Sequence, residues 1–195
     1  MKKQKNKEVK RKLDLGCGFV LENDPNFDEV FGVDLINPNN NKNIKIADLA
    51  VEPIPFPDDY FDYIECTDFI EHIPKLIYAP KRKYSLIDLM SEISRVLKID
   101  GELNVVVPVY PNTQAFDDPT HVNQLTIKTL TYFDITNLGK LSTVYYGYTG
   151  FLKLLNFEFS PQEQVIVRFI KLKPEPLDFR HEKIFHKYKY DKKSP

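Results

Sequence analysis

The stretch Lys12-Leu13-Asp14-Leu15-Gly16-Cys17-Gly18 decides the fold. Lys12 to Leu15 is a short extended run that stops at two closely spaced glycines. Glycine there lets the chain turn sharply off a strand and lets a ligand lie against bare backbone N–H groups. Working outward, Val30-Phe31-Gly32-Val33 is a second extended run, ending at Asp34. After the turn-rich PIPFPDD comes a third, Phe61 to Cys66. Ser85 opens a helix whose apolar stripe is Leu86, Leu89, Ile93, Val96 and Leu97. Asp88, three residues after Ser85, predicts a capping box, and Gly101 a left-handed stop. Leu103 to Val107 is the next strand, ended by Pro108. Strands joined by helical crossovers make a doubly wound α/β sheet. Near the end, FLKLLNFEFS and QVIVRFIKLK meet at Ser160-Pro161-Gln162, so short a link that the two runs must pair antiparallel.

Composition bounds the rest. At 195 residues the chain predicts one domain with small appendages. With 42% hydrophobic and 28% charged residues it has the balance of a folded globular protein. The 27 basic and 28 acidic side chains leave a net charge of −1, so a nucleic-acid partner, which stays open, needs a local basic patch. Cys17 and Cys66 are too few for a disulfide scaffold, and no zinc-type cluster surrounds either, so no metal is expected. No apolar run approaches the ~18 residues that span a membrane, and no apolar stretch follows the Lys-rich amino end as a secretory signal requires. The expectation is a reduced, cytoplasmic domain without membrane contact. Residues 1–11 read as a basic arm, 12–173 as the domain and 174–195 as a basic tail. The arms are read as solvated ends, with an anionic partner as the alternative.

In open α/β sheets the ligand sits beyond the carboxyl ends of the strands. Gly16 and Gly18 end the first strand, and Asp34 ends the second, where a carboxylate can accept both hydrogen bonds of a ribose diol. The dinucleotide fingerprint is incomplete, because Leu21 stands where its third glycine belongs, and no GK[ST] phosphate loop occurs. The pocket therefore reads as one for a nucleoside without a pyrophosphate.

These residues resemble the class I S-adenosylmethionine-dependent methyltransferases, in particular the small type-11-like group. LDLGCG is similar to that family's motif I and VFGVDL to its acidic strand end. IADLAVEPIPFPDDYFDYIECTDFIEHI is similar to its adenine and fourth-strand region, and EISRVLKIDGELNVVVP to its helix and fifth strand. The resemblance covers residues 12–108 and implies a Rossmann-like, mostly parallel sheet with an antiparallel C-terminal hairpin. It implies S-adenosyl-L-methionine as cofactor, with Asp14, Gly16, Cys17 and Gly18 at its methionine part. Asp34 and Leu35 would lie at the ribose, Asp48 and Leu49 at the adenine, and Cys66 and Thr67 beside the sulfonium. The implied function is methyl transfer to an O or N atom of an unidentified acceptor, the alternative being an inactive cofactor-binding or assembly protein. The basic arms lean toward an anionic acceptor. Two departures stand out: Val20 replaces the third motif I glycine, and FVLENDPNFDE leaves room for only a shortened first crossover helix. Asp118-Pro119-Thr120-His121-Val122 matches a string found in a subgroup with that short connection.

A base is needed only if the acceptor must shed a proton, and the candidates are His72 and His121, each after a strand end. The structural alternatives are a helix-end role for His72 and a turn role for His121. Glu71 reads as a surface charge, and Asp68 equally as a pocket residue or a helix N-cap. Cys17 reads as a small neighbour and not a nucleophile. Tyr145-Tyr146-Gly147-Tyr148 reads as core with tips that could line an acceptor site. His181 and His186 read as solvated tail residues.

Overall fold

The computed structural model describes residues 8–78, 80–137, 142–162 and 164–175. Most of the two arms, with His181 and His186, therefore lies outside the described residues. Among the described residues, seven strands form one sheet: β1 (Arg11–Leu15), β2 (Glu29–Asp34), β3 (Ile44–Ile46), β4 (Phe61–Thr67), β5 (Leu97–Val107), β6 (Leu152–Phe159) and β7 (Val165–Lys171). Their order is β3-β2-β1-β4-β5-β7-β6. The first five run parallel, whereas β7 lies antiparallel to both β5 and β6. This is the mostly parallel sheet with an antiparallel C-terminal hairpin that the sequence predicts. β3, which the sequence reading did not anticipate, has only Ile44 buried, so it carries no apolar signal. The chain steps outward from β1 to β3 and then returns to β4 beside β1, which puts the topological switch point between β1 and β4.

The helix α1 (Ser85–Val96) covers one face. Leu86, Leu89, Met90, Ile93 and Val96 pack into a single core with Leu13, Leu15, Ile64, Cys66, Leu103, Val105 and Phe169. Each fully buried aliphatic side chain there contributes about 1.5–3 kcal/mol. Two details of α1 depart from the sequence reading. Its N-cap is Tyr84, with no side-chain cap bond, and Ser85 is a buried first-turn residue, so no capping box forms. The helix ends by passing straight into β5 through an extended Leu97, so it needs no left-handed terminator; the positive φ belongs to Asp100 (63°), with Gly101 inside the strand. Arg95 near the helix end binds Glu92, Asp58 and the carbonyls of Ile54 and Phe56, which clamps the PIPFPDD turn to α1.

The opposite face is polar. By strand alternation it carries Lys12, Asp14, Tyr63, Glu65, Glu102, Asn104 and Arg168. The predicted shortening of the first crossover goes to completion, since residues 16–28 contain turns and no helix. Side chains hold that segment down instead: Lys12 Nζ lies 3.3 Å from Asp24 and 2.6 Å from Glu65, and the Phe27 ring meets Tyr63 at 5.6 Å. The link from β2 to β3 is also helix-free and is knitted by its own asparagines. Asn37 Oδ1 accepts from the Asn41 N–H, and Asn37 Nδ2 donates to the carbonyls of Asn41 and Ile44.

Candidate functional site

At the carboxyl ends of β1, β2 and β4 lies a cleft of about 290 Å³, lined by Gly16, Val33, Asp34, Leu35, Ala47, Asp48, Leu49, Ala50, Asp68, Phe69, His72 and Ile73. Gly16 has φ 75° and Gly18 has φ 63°, values that a side chain disfavours. Gly16 is required twice over, because a Cβ there would sit 2.6 Å from the Phe69 ring. The Asp34 carboxylate closes the turn: Oδ2 accepts from the Gly18 N–H (2.9 Å) and Oδ1 from the Ile36 N–H (3.3 Å). Each carboxylate oxygen has a second lone pair, so the group can brace the loop and still accept from a ligand. Asp48 works similarly, with Oδ1 accepting the Ala50 N–H. Leu49, Val33, Ala47 and Ile73 give the cleft an apolar wall. That combination suits a flat base and a diol, and among the described residues no arginine or lysine for a phosphate lines it.

The residues expected at the cleft divide into two groups. Gly16, Asp34, Leu35, Asp48, Leu49 and His72 line it, and Gly18 joins them through Asp34. Asp14, Cys17, Cys66 and Thr67 are not among its lining residues. Cys66 is fully buried in the core, so burial pushes its thiol far up and only its backbone can border a ligand. Thr67 is exposed at the end of β4. Cys17 lies over Gly32, where an added Cβ would meet its sulfur; burial first, then Asp14 and Asp34, pushes its thiol up to about 11, which rules out a thiolate nucleophile at neutral pH. Asp14 is partly buried on the polar face of the sheet. Burial raises its carboxyl to about 6, with Glu65 and Asp34 adding to the rise and Lys12 opposing it.

A second cavity of about 440 Å³ adjoins the first and shares Asp68 and His72 with it. Its other lining residues are Pro108, Gln114, Asp117, Asp118, His121 and Gln164. The Asp118-Pro119-Thr120-His121-Val122 string builds one wall. Asp118 Oδ1 accepts from both the Thr120 N–H (2.7 Å) and its hydroxyl (2.6 Å). With its hydrogen committed, Thr120 Oγ1 faces His72 Nδ1 at 3.1 Å as an acceptor, and the Thr120 carbonyl lies 3.2 Å from the same nitrogen. Both partners accept, so Nδ1 carries the proton and the neutral ring keeps its lone pair on Nε2. The His121 ring meets the His72 ring edge-on at 4.8 Å, and its Nε2 is 3.9 Å from Glu71 Oε1.

Glu71 corrects the sequence reading. It is 1% exposed and not a surface charge, because residues 70–72 form a single 3-10 turn that points it inward. Burial raises its carboxyl to about 7, with Asp68 and Asp118 adding to the rise. Asp68 is no helix cap either: the turn's N-cap is Phe69, and Asp68, at φ 47°, takes a hydrogen bond from Gln164. Sequence reasoning also missed Phe69, which shows only as the ring opposite Gly16, and Asn123, whose N–H donates to the Glu71 carbonyl at 2.9 Å. Of the aromatic run, Tyr148 is buried and donates to the Phe133 carbonyl, whereas Tyr145 and Tyr146 are exposed and line neither cavity. No helix among the described residues is long and apolar enough to cross a membrane.

Residues 13–105 match the model of a family described as a methyltransferase domain. A curated relative, the uncharacterized methyltransferase YcgJ of Bacillus subtilis (strain 168), is 29% identical over 130 residues, which is 59% of this chain and 47% of that protein. The chain thus spans about half the length of the curated relative it matches. The crystal structure of YcgJ superposes with a TM-score of 0.51 at 16% identity, covering 85% of this chain and 93% of that one. A Haloferax volcanii methyltransferase, solved with its activator Trm112, gives a TM-score of 0.58 at 11% identity over 89% of this chain and 86% of that one. A Methanosarcina mazei protein titled a SAM-dependent methyltransferase gives 0.51 at 16% identity over 86% and 95%. The fold is that of the class I methyltransferases.

Proposed function

We propose that this chain, whose residues 13–105 match a family model described as a methyltransferase domain, moves a methyl group from S-adenosyl-L-methionine to an O or N atom of an acceptor. One observation carries the reading: an apolar-walled cleft edged by Asp34 and Asp48 shares two lining residues, Asp68 and His72, with a polar vestibule. The residues fit the cofactor. Gly16 and Gly18 offer bare backbone, Asp34 accepts the ribose hydroxyls, and Asp48 with Leu49 borders the adenine. Gly18 stands at the methionine end through its bond to Asp34, and Asp14 and Cys17, which do not line the cleft, are proposed to act from beyond its edge, where an ionised Asp14 would complement the positive charge of the methionine part. Cys66, through its backbone, and Thr67 mark the strand end nearest the sulfonium.

The bound cofactor supplies an already activated methyl group. The protein's task is then to hold the acceptor atom in line at about 3–3.5 Å and to exclude water. His72 and His121 stand on the acceptor side, where a lone pair can meet the acceptor's departing proton. Asp68, Asp117 and Asp118 line the vestibule with no lysine or arginine among them. A neutral or cationic acceptor therefore fits better than the anionic one suggested by the basic arms.

Calorimetry with S-adenosylhomocysteine tests the reading, with saturable binding of one equivalent expected. Its absence at millimolar ligand overturns it. Mass spectrometry of a cell extract incubated with isotopically labelled methyl donor then names the product.

A further inference from the structure

We infer that Glu71, His72 and His121 form a divalent metal site on the wall of the vestibule, taking a first-row transition ion such as Mn2+, Fe2+, Co2+ or Zn2+. Each residue offers one ligand atom, and the three atoms lie within 4.8 Å of one another. An ion with bonds of roughly 2.0–2.2 Å holds tetrahedral ligands about 3.4 Å apart. The Glu71–His121 separation of 3.9 Å is about half an ångström beyond that spacing, and the ligand atoms, all within 4.8 Å of one another, have at most about 1.4 Å to close, which side-chain rotation on binding supplies.

Unsatisfied polar atoms point to the same place. Seven buried side-chain N and O atoms lack a hydrogen-bond partner among the described residues, and five of them belong to Glu71, His121 and Asn123. Both Glu71 oxygens are in that set, on a residue 1% exposed. Native folds pair such groups, so a concentration of orphans marks a missing partner. Water can satisfy Asn123, but a buried carboxylate facing two imidazoles, with Asp68 and Asp118 nearby, calls for a cation. His72 is prepared for it. Its Nδ1 proton is held by Thr120, which fixes the tautomer and frees Nε2, the outer-shell arrangement of metal-bound histidine. The donor set decides the metal class: two imidazoles and one carboxylate favour a transition ion over Mg2+ or Ca2+, which prefer all-oxygen sets. The sequence expectation of no metal rested on cysteine-based patterns, which do not bear on this cluster.

Resting on the methyl-transfer reading, the ion has a place in the reaction. With the histidine lone pairs on the ion, the ion would bind the acceptor's hydroxyl and lower its pKa; the proton then leaves to solvent or to a vestibule carboxylate (Asp68 or Asp118), the oxygen forms the new bond to the methyl carbon, and the S–C bonding pair stays on the sulfur.

The test uses tag-free full-length protein stripped with a chelator and titrated with Co2+, read by visible absorption and by calorimetry. One equivalent with ligand-field bands is expected, and a millimolar excess of Mg2+ should leave the bands in place. His121→Ala and Glu71→Gln should each weaken binding on the order of a hundredfold while circular dichroism stays native. His121→Asn stands in if Glu71→Gln does not fold. No saturable Co2+ or Zn2+ binding by wild type overturns the site, as does unchanged affinity in His121→Ala. Displacement by Mg2+ overturns the metal class. S-adenosylhomocysteine calorimetry on the same sample separates the two readings: cofactor binding without Co2+ sinks the metal site alone, and Co2+ without cofactor sinks methyl transfer alone.

Discussion

Replacing Asp34 by alanine should weaken S-adenosylhomocysteine binding on the order of a hundredfold. Two charge-assisted hydrogen bonds from a ribose diol at ~1.5–3 kcal/mol each set a ceiling of about 3–6 kcal/mol. The shortened side chain admits water to the hydroxyls, which recovers part of that, so the low end, about 3 kcal/mol, is expected. The loss has a second component. Asp34 Oδ2 accepts from the Gly18 N–H at 2.9 Å and Oδ1 from the Ile36 N–H at 3.3 Å, so alanine also releases the glycine turn that forms the cleft floor. Asparagine separates the two components. Its amide oxygen still accepts from Gly18 but carries no charge, so Asp34→Asn should keep the turn and lose about tenfold. Calorimetric titration of the three proteins at fixed salt reads the dissociation constants directly. If Asp34→Ala binds within twofold of wild type, the carboxylate does not hold the ribose and the cleft assignment is wrong.

Two further outcomes follow from the same geometry. Gly16→Ala should cost about 1–3 kcal/mol, lowering Tm by several degrees, because it adds a side chain at φ 75° against Phe69. Adding Phe69→Ala should recover only the steric part, and a Gly16→Ala protein that melts with wild type would refute the close approach. Asp14 carries the pH dependence. Burial holds its folded pKa at about 6, above the ordinary aspartate value of 3.8, so its contribution to stability is present below about pH 4 and is lost as pH rises through 6. Roughly two units at 1.36 kcal/mol give a ceiling of about 3 kcal/mol, and screening at a partly exposed group reduces this to about 1–2. Asp14→Asn should therefore gain stability over wild type in urea at pH 8 and lose that advantage by pH 4. An equal gain at both pH values would show that Asp14 does not titrate there.

The sheet and half of the cleft were legible because their signals are local. A strand that stops at Gly16 and Gly18, and another that stops at Asp34, announce both the topology and the end of the sheet at which the cleft lies without knowledge of any partner. The α1 stripe was legible for the same reason, since its burial repeats at helical spacing. What stayed hidden depends on contacts distant in sequence. Phe69 matters because it lies on Gly16, and Glu71 because the chain near His121 and Asn123 folds over it. In sequence, Glu71 looks like any charged residue of a short helix, and only burial reverses that meaning. The capping box failed because the helix starts one residue earlier than its capping signal: Tyr84 is the N-cap and Ser85 a fully buried first-turn residue. The helix-free crossover links these points. On the proposed reading, with no first helix over β1 and β2 to lend its dipole to the methionine carboxylate, N–H groups of the Gly16–Gly18 turn and the braces from Asp34 and Lys12 would have to fix that end. Positioning thus moves from helix packing to a few individual polar contacts, which is why single substitutions at Asp34 or Gly16 should show effects that a helix-backed cleft would absorb.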